Sequence, residues 1–256
     1  FKMRLLENLL FISVLLLLAW VTVPDGSRGG VASAGLSTVV LTMSFLYVSL
    51  FFTHRHFREV LLAYRWIWLC LLAWLFVTAI QTFELFGYHN YDPYASIQEL
   101  NLYFAYCGFL LLVTCLLSSR RRIRIIIGVL IAIAIAQTIF GLINYYSGEQ
   151  PLGWKPTHWA AHRVTGTYIN RNFFASLVVM VLGTVLVPVI IKRKNSARYD
   201  DTGQEKINHL AIKIFCVIAS VILLSGVVLS GSRGAFLSMA VATCLAVALI
   251  QLNSRV

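Results

Sequence analysis

Eight apolar stretches dominate this sequence, and they limit what it can fold into more than any motif does. They cover residues 5–23, 35–52, 66–86, 102–117, 123–145, 173–191, 210–229 and 235–252. Most approach the roughly 20 residues a helix needs to cross a hydrocarbon core of about 30 Å; the fourth is the shortest. A soluble fold has nowhere to bury so much apolar surface. The chain is 59% hydrophobic and 12% charged over 256 residues, about half the usual charge of a soluble domain. Lipid offers no partner to an unpaired backbone group, so the stretches are expected to be helical. The expectation is an all-α, polytopic transmembrane bundle of about eight spans, a single transmembrane domain over residues 1–256.

The cations supply the orientation. Lys and Arg number 21 against 10 Asp and Glu, a net charge of +11. If the chain crosses at every apolar stretch, sixteen of the 21 fall on one side. These are Lys2 and Arg4, the arginines of 55–65 and 120–124, the basic residues of 192–213, and Arg255. The other five are Arg28, Lys155, Arg163, Arg171 and Arg233. This asymmetry puts the sixteen, and both chain ends, in the cytoplasm. It also accounts for the basic composition without nucleic acid, which is not an expected partner. Residues 147–172 then form the longest outer loop and 192–213 a polar cytoplasmic connector, while 87–100 is an outer loop holding His89, Asp92 and Glu99. The first stretch lacks a small-residue cleavage site after it and reads as a retained helix rather than a signal peptide. Trp20, Trp66, Trp68, Tyr88, Tyr91, Tyr145 and Tyr146 sit near span ends, as an interfacial belt does.

Several chemistries leave no trace. Cys70, Cys107, Cys115, Cys216 and Cys244 all lie in apolar runs without a CxxC pair, and read as small buried hydrophobes. His158 and His162 have helical i, i+4 spacing, but neither HExxH nor a nearby Cys accompanies them. No metal and no cofactor are expected, and no phosphate-cradling glycine loop points to a nucleotide. Ionisable residues inside the spans, the mark of a transport path, are nearly absent.

Two outer segments stand apart. The first, His162-Arg163-Val164-Thr165-Gly166-Thr167-Tyr168-Ile169-Asn170-Arg171-Asn172-Phe173-Phe174-Ala175, runs into the sixth apolar stretch. Asn170 or Asn172 suits its N-cap, leaving Arg171 at the first helical turn. The second, Leu229-Ser230-Gly231-Ser232-Arg233-Gly234-Ala235, is the tight link between the last two stretches. Ser232 suits the cap there and Arg233 the first turn. A cation at a helix N-terminus opposes the partial positive charge of the free N–H groups, and an outer arginine runs against the topological bias. Both placements become favourable if an anion sits there, since N-terminal N–H groups and a guanidinium fork both bind phosphate oxygens. The competing reading is arginines that snorkel to lipid headgroups.

These segments resemble a known family. Arg163 to Ala175 is similar to the R-x-T-G-T-x-x-N-x-N-x-x-A stretch of the bacterial O-antigen ligase and polymerase superfamily, and Leu229 to Ala235 to its L-S-x-S-R-G-A/G motif. The span pattern agrees over most of the chain, while the specific match covers these two stretches. The resemblance implies a glycosyltransferase of the bacterial inner membrane, working at its periplasmic face. Such enzymes take glycan from undecaprenyl diphosphate and pass it to lipid A–core, to a growing polysaccharide or, in relatives, to a protein hydroxyl. It implies that Arg233 and one or both of Arg163 and Arg171 act on the donor diphosphate; Ser232 and Asn172, beside them in the two segments, are counted as diphosphate-binding residues with all three arginines. It also implies that the chain is the N-terminal part of a longer protein, since the histidine usually assigned as base lies in a large loop beyond this region. A transporter or flippase of lipid-linked saccharides, and a non-catalytic membrane scaffold, are the alternatives.

Overall fold

A computed structural model describes residues 2–21, 30–52, 55–84, 92–117, 119–147, 163–168, 171–190 and 203–253. Among them all regular structure is helical: α1 (Lys2–Val21), α2 (Gly30–Phe51), α3 (Arg55–Ala63), α4 (Arg65–Thr82), α5 (Pro93–Leu116), α6 (Arg120–Ser147), α7 (Arg171–Ile190), α8 (Gly203–Ser230) and α9 (Arg233–Asn253). Each apolar stretch is helical over most of its described residues. The protein is a helical membrane protein, but eight spans are not counted among the described residues. Four helical segments are long and apolar enough to cross a membrane: Arg65–Thr82, Tyr94–Leu116, Arg120–Ser147 and Leu210–Ser230. The count reaches five if the bent pair Gly35–Phe51 and His56–Ala63 is one span. The apolar parts of α1 and α7, Leu5–Trp20 and Arg171–Leu186, are shorter.

Three local departures have physical causes. Residues 93–100 belong to α5, not to a loop, because Asp92 caps the helix by accepting from the Ala95 N–H at 3.0 Å and Pro93 stands at its first position, where a missing N–H costs nothing. The helix α8 begins at Gly203, well inside the expected connector 192–213, since a charged segment can continue a helix beyond the bilayer core. The third is α3, which no apolar run announced. It is amphipathic, burying Phe57 and Val60 while Arg58 and Glu59 stay exposed, so only its 3.6-residue period marks it. The cysteines, all expected to be buried, divide: Cys115 and Cys216 are buried, Cys107 is half-buried, and Cys70 and Cys244 are exposed.

The chain forms two compact units, residues 1–126 and 127–256. In the first, α5 is the hub against which α1 to α4 pack. Val14, Tyr47, Leu112 and Leu116 are almost wholly enclosed, and Tyr47 stacks on Phe51 at 4.6 Å. Arg122 ties this unit together. It donates to the Leu116 carbonyl at 3.1 Å and to Asn8 Oδ1 at 2.9 Å, pairs with Glu7 at 3.4 Å, and lies over the Phe11 ring. A largely buried fork with three acceptors exceeds a surface ion pair in worth. Arg122→Ala is expected to cost on the order of 2 kcal/mol, read as a lower melting temperature in detergent; an unchanged melt would sink this assignment.

In the second unit α7 packs on α8 and also on α9. Its core joins Ala134 of α6, Phe174 and Val178 of α7, Leu223 and Val227 of α8 and Ala235 of α9. Small and β-branched residues let these helices approach closely, the packing that lipid-embedded helices rely on. One end of this core carries the candidate site.

Candidate functional site

The link from α8 to α9 is built from its small residues. Ser230 Oγ donates to the Val227 carbonyl at 2.7 Å and accepts from the Ser232 N–H at 3.3 Å. Gly231 has φ +61°, a left-handed conformation that an L side chain rarely adopts, and it ends α8. Ser232 then caps α9: its Oγ accepts from the Ala235 N–H at 3.3 Å, and its carbonyl accepts from the Phe236 N–H at 3.2 Å. Arg233 is therefore the first residue of α9, exposed.

The same Ser232 hydroxyl donates to Asn172 Oδ1 at 2.9 Å. Arg171 opens α7 and Asn172 follows it, so this bond joins the starts of the two helices that carry the arginines. Asn172 is thus inside the helix rather than its cap; Asn170, the other cap candidate, lies outside the described residues. One oxygen, Ser232 Oγ, serves both as cap acceptor and as cross-helix donor.

The segment 163–168 docks on this corner. The Val164 N–H donates to the Leu229 carbonyl at 3.2 Å, and the Val164 side chain is wholly buried. The Tyr168 N–H closes a turn onto the Thr165 carbonyl at 3.0 Å, with Gly166 at φ +58° inside it. Gln137 of α6 accepts from the Thr167 N–H at 2.8 Å. Arg163 is exposed and passes beside Gly231, where a β-carbon would stand 3.9 Å from its Nε. The two sequence segments, some sixty residues apart, thereby form one structure. Tyr168 is half-buried, and burial raises its phenol above the ordinary value, so it stays neutral and polar without adding charge.

Electrostatically the corner is one-sided. Arg163 and Arg233 are exposed and Arg171 is half-buried. Among the described residues no carboxylate pairs with any of them, the ion pair there being Arg122–Glu7. Two helix N-termini add partial positive charge in the same place. Such an arrangement can hold an anion with several oxygens, since backbone N–H groups and guanidinium forks both address phosphate.

Lys155, His158 and His162 lie outside the described residues. No cluster of three or more His, Cys, Asp or Glu able to hold a metal occurs among the described ones. Sequence reasoning passed over Gln137. Its signal was an amide within an apolar run, which must find a partner in order to sit there; the partner is the backbone of the first motif. Comparison of the chain with protein-family models, with curated proteins and with solved structures finds no match.

The shared Ser232 hydroxyl gives a direct test of this corner. Ser232→Ala removes the cap and the bond to Asn172, and is expected to cost about 1–2 kcal/mol. Ser232→Thr keeps the hydroxyl and should retain most of that stability. Equal melting of the two variants would show that the hydroxyl holds nothing.

Proposed function

We propose that the corner formed by the starts of α7 and α9 binds the diphosphate of a polyprenyl-linked glycan, and that the protein is a glycosyltransferase of the O-antigen ligase and polymerase type. The observation that carries this reading is the Ser232–Asn172 bond at 2.9 Å, which sets two arginine-bearing helix starts side by side. In this reading the arginine-rich helix ends face the cytoplasm, as the charge asymmetry favours, and the corner lies on the periplasmic side of the bacterial inner membrane. The donor is undecaprenyl diphosphate-linked glycan; the acceptor is lipid A–core or a growing polysaccharide.

The chemistry follows from the charges. As the anomeric C–O bond breaks, its electron pair goes to the departing diphosphate. Arg163, Arg171 and Arg233, with the N–H groups of the two helix starts, hold that growing negative charge in place. A base takes the proton of the acceptor hydroxyl as the new bond forms. Ser232 and Asn172 position the helix starts, and their polar atoms border the same site. No nucleotide is consumed, because the activation already resides in the lipid diphosphate.

The test is transfer by membranes holding the protein, supplied with undecaprenyl diphosphate-linked glycan and lipid A–core or polysaccharide acceptors, without nucleotide sugar. Glycan arriving on an acceptor, with free lipid diphosphate released, is the expected result. Movement of intact donor across the membrane without release would identify a flippase. Neither process, with several acceptors offered, would leave a scaffold.

A further inference from the structure

A second place in the fold, in the first unit, asks for a ligand of another kind. A cleft of about 330 Å³ lies between α4 and α5, closed at one end by the start of α6. Its walls are apolar, with Leu110 and Val113 on α5 and Ile123 on α6. Trp68 lines it too, and the indole Nε1–H of Trp68 is buried without a hydrogen-bond partner. A buried donor left unmet is costly. Thr114, on the facing wall, cannot relieve it, because its hydroxyl is turned to the Leu110 carbonyl at 2.6 Å. Water suits the cleft poorly, since an ordered water needs two to four polar partners.

Two arginines stand about one helical turn from residues that line the cleft. Arg65 stands three residues before Trp68, and Arg120 three before Ile123, so each shares a helix face with a residue of the cleft. Both are exposed, and among the described residues neither meets a carboxylate. Arg122, their neighbour, is occupied by Glu7 and Asn8. Arg65 lies 5.5 Å over the Trp66 ring, the posture of an arginine at a membrane interface. The surrounding face of α4 leaves Trp66, Leu69, Leu72 and Phe76 exposed, as a lipid-facing helix does.

The geometry points to a binding site for one anionic phospholipid, drawn from the leaflet at the arginine-rich helix ends. An acyl segment fills the cleft, the Trp68 indole turns to give its Nε1–H to an ester carbonyl, and the headgroup phosphate lies between Arg65 and Arg120. Charge selects the occupant: a purely apolar partner leaves the arginines and the indole donor unanswered.

Native mass spectrometry of the purified protein, with phosphatidylglycerol or phosphatidylcholine added, tests the site. The wild type should retain one phosphatidylglycerol more firmly than one phosphatidylcholine. Trp68→Phe keeps the ring and loses the donor, and should weaken retention about five-fold, the worth of a single hydrogen bond. Arg65→Gln with Arg120→Gln should erase the preference between the two lipids. Val113→Trp fills the cleft from the opposite wall and should abolish the adduct. Equal retention of both lipids by the wild type, an adduct that survives Val113→Trp, or Trp68→Phe with unchanged retention would each overturn the assignment, as would a second protein copy in place of lipid.

Discussion

Arg233→Ala is expected to lower glycan transfer at least a hundredfold while leaving the protein as stable as before. The size of the loss comes from the role proposed for the side chain. A preorganised group facing charge that develops in the transition state is typically worth about 10²–10³ in rate, and in the proposed reaction Arg233 would face the departing diphosphate at a helix start. The unchanged stability comes from its surroundings. Arg233 is exposed and without a carboxylate partner among the described residues, and at the first position of α9 its charge opposes the helix dipole. Its removal should therefore be neutral, or stabilising by a few tenths of a kcal/mol. Arg233→Lys keeps the charge but loses the planar fork, so it should fall between wild type and alanine. Transfer rates and melting curves on the same preparations decide the matter. Transfer within two-fold of wild type in Arg233→Ala would return this arginine to a headgroup anchor; lost transfer together with a lowered melt would make it structural.

How much of this was legible beforehand differs by level. The long helices were, because an apolar run is read directly from the order of the residues. Their ends were less so. Capping at Asp92 and Pro93 carried α5 into a segment that looked like a loop, and α3 hid its apolar face among arginines. The candidate site residues could be singled out one at a time, since arginines at helix starts expected on the outer face offend two local rules at once. Their convergence could not. It depends on a tertiary bond between Asn172 and Ser232 and on a backbone contact from Val164 to Leu229, pairings between segments far apart in the chain that no local pattern encodes. Gln137 belongs to the same class: its polarity was visible, its partner was not. The positive φ at Gly166 and Gly231 is intermediate, because each glycine sits in a motif but only the backbone shows what it is for.

Gly166 shows how tightly the first motif is held, and Gly166→Val should be the most damaging single change in the second unit. A β-carbon there would lie 2.6 Å from Gln137 Oε1, 2.9 Å from the Gln137 carbonyl oxygen and 3.1 Å from Phe174 Cδ2. The amide could swing aside, but then the Thr167 N–H loses its acceptor. The carbonyl belongs to the α6 backbone and cannot move without unwinding a turn. To this is added a β-branched residue at φ +58°, a strain of about 1–3 kcal/mol, with overpacking of about 1–3 kcal/mol more. The segment 163–168 should leave its seat, and transfer and melting temperature should fall together. Gly183→Ala provides the contrast. Nothing lies within 4 Å of a β-carbon at Gly183, which is in the interior of α7, so alanine there should stabilise by about 0.5–1 kcal/mol through helix propensity. If Gly166→Val melts as the wild type does, the docking of the first motif on α6 is wrong. If it melts early while Arg233→Ala does not, the two tasks are separable: the seat of residues 163–168 holds the corner in shape, and the Arg233 side chain adds charge without holding it.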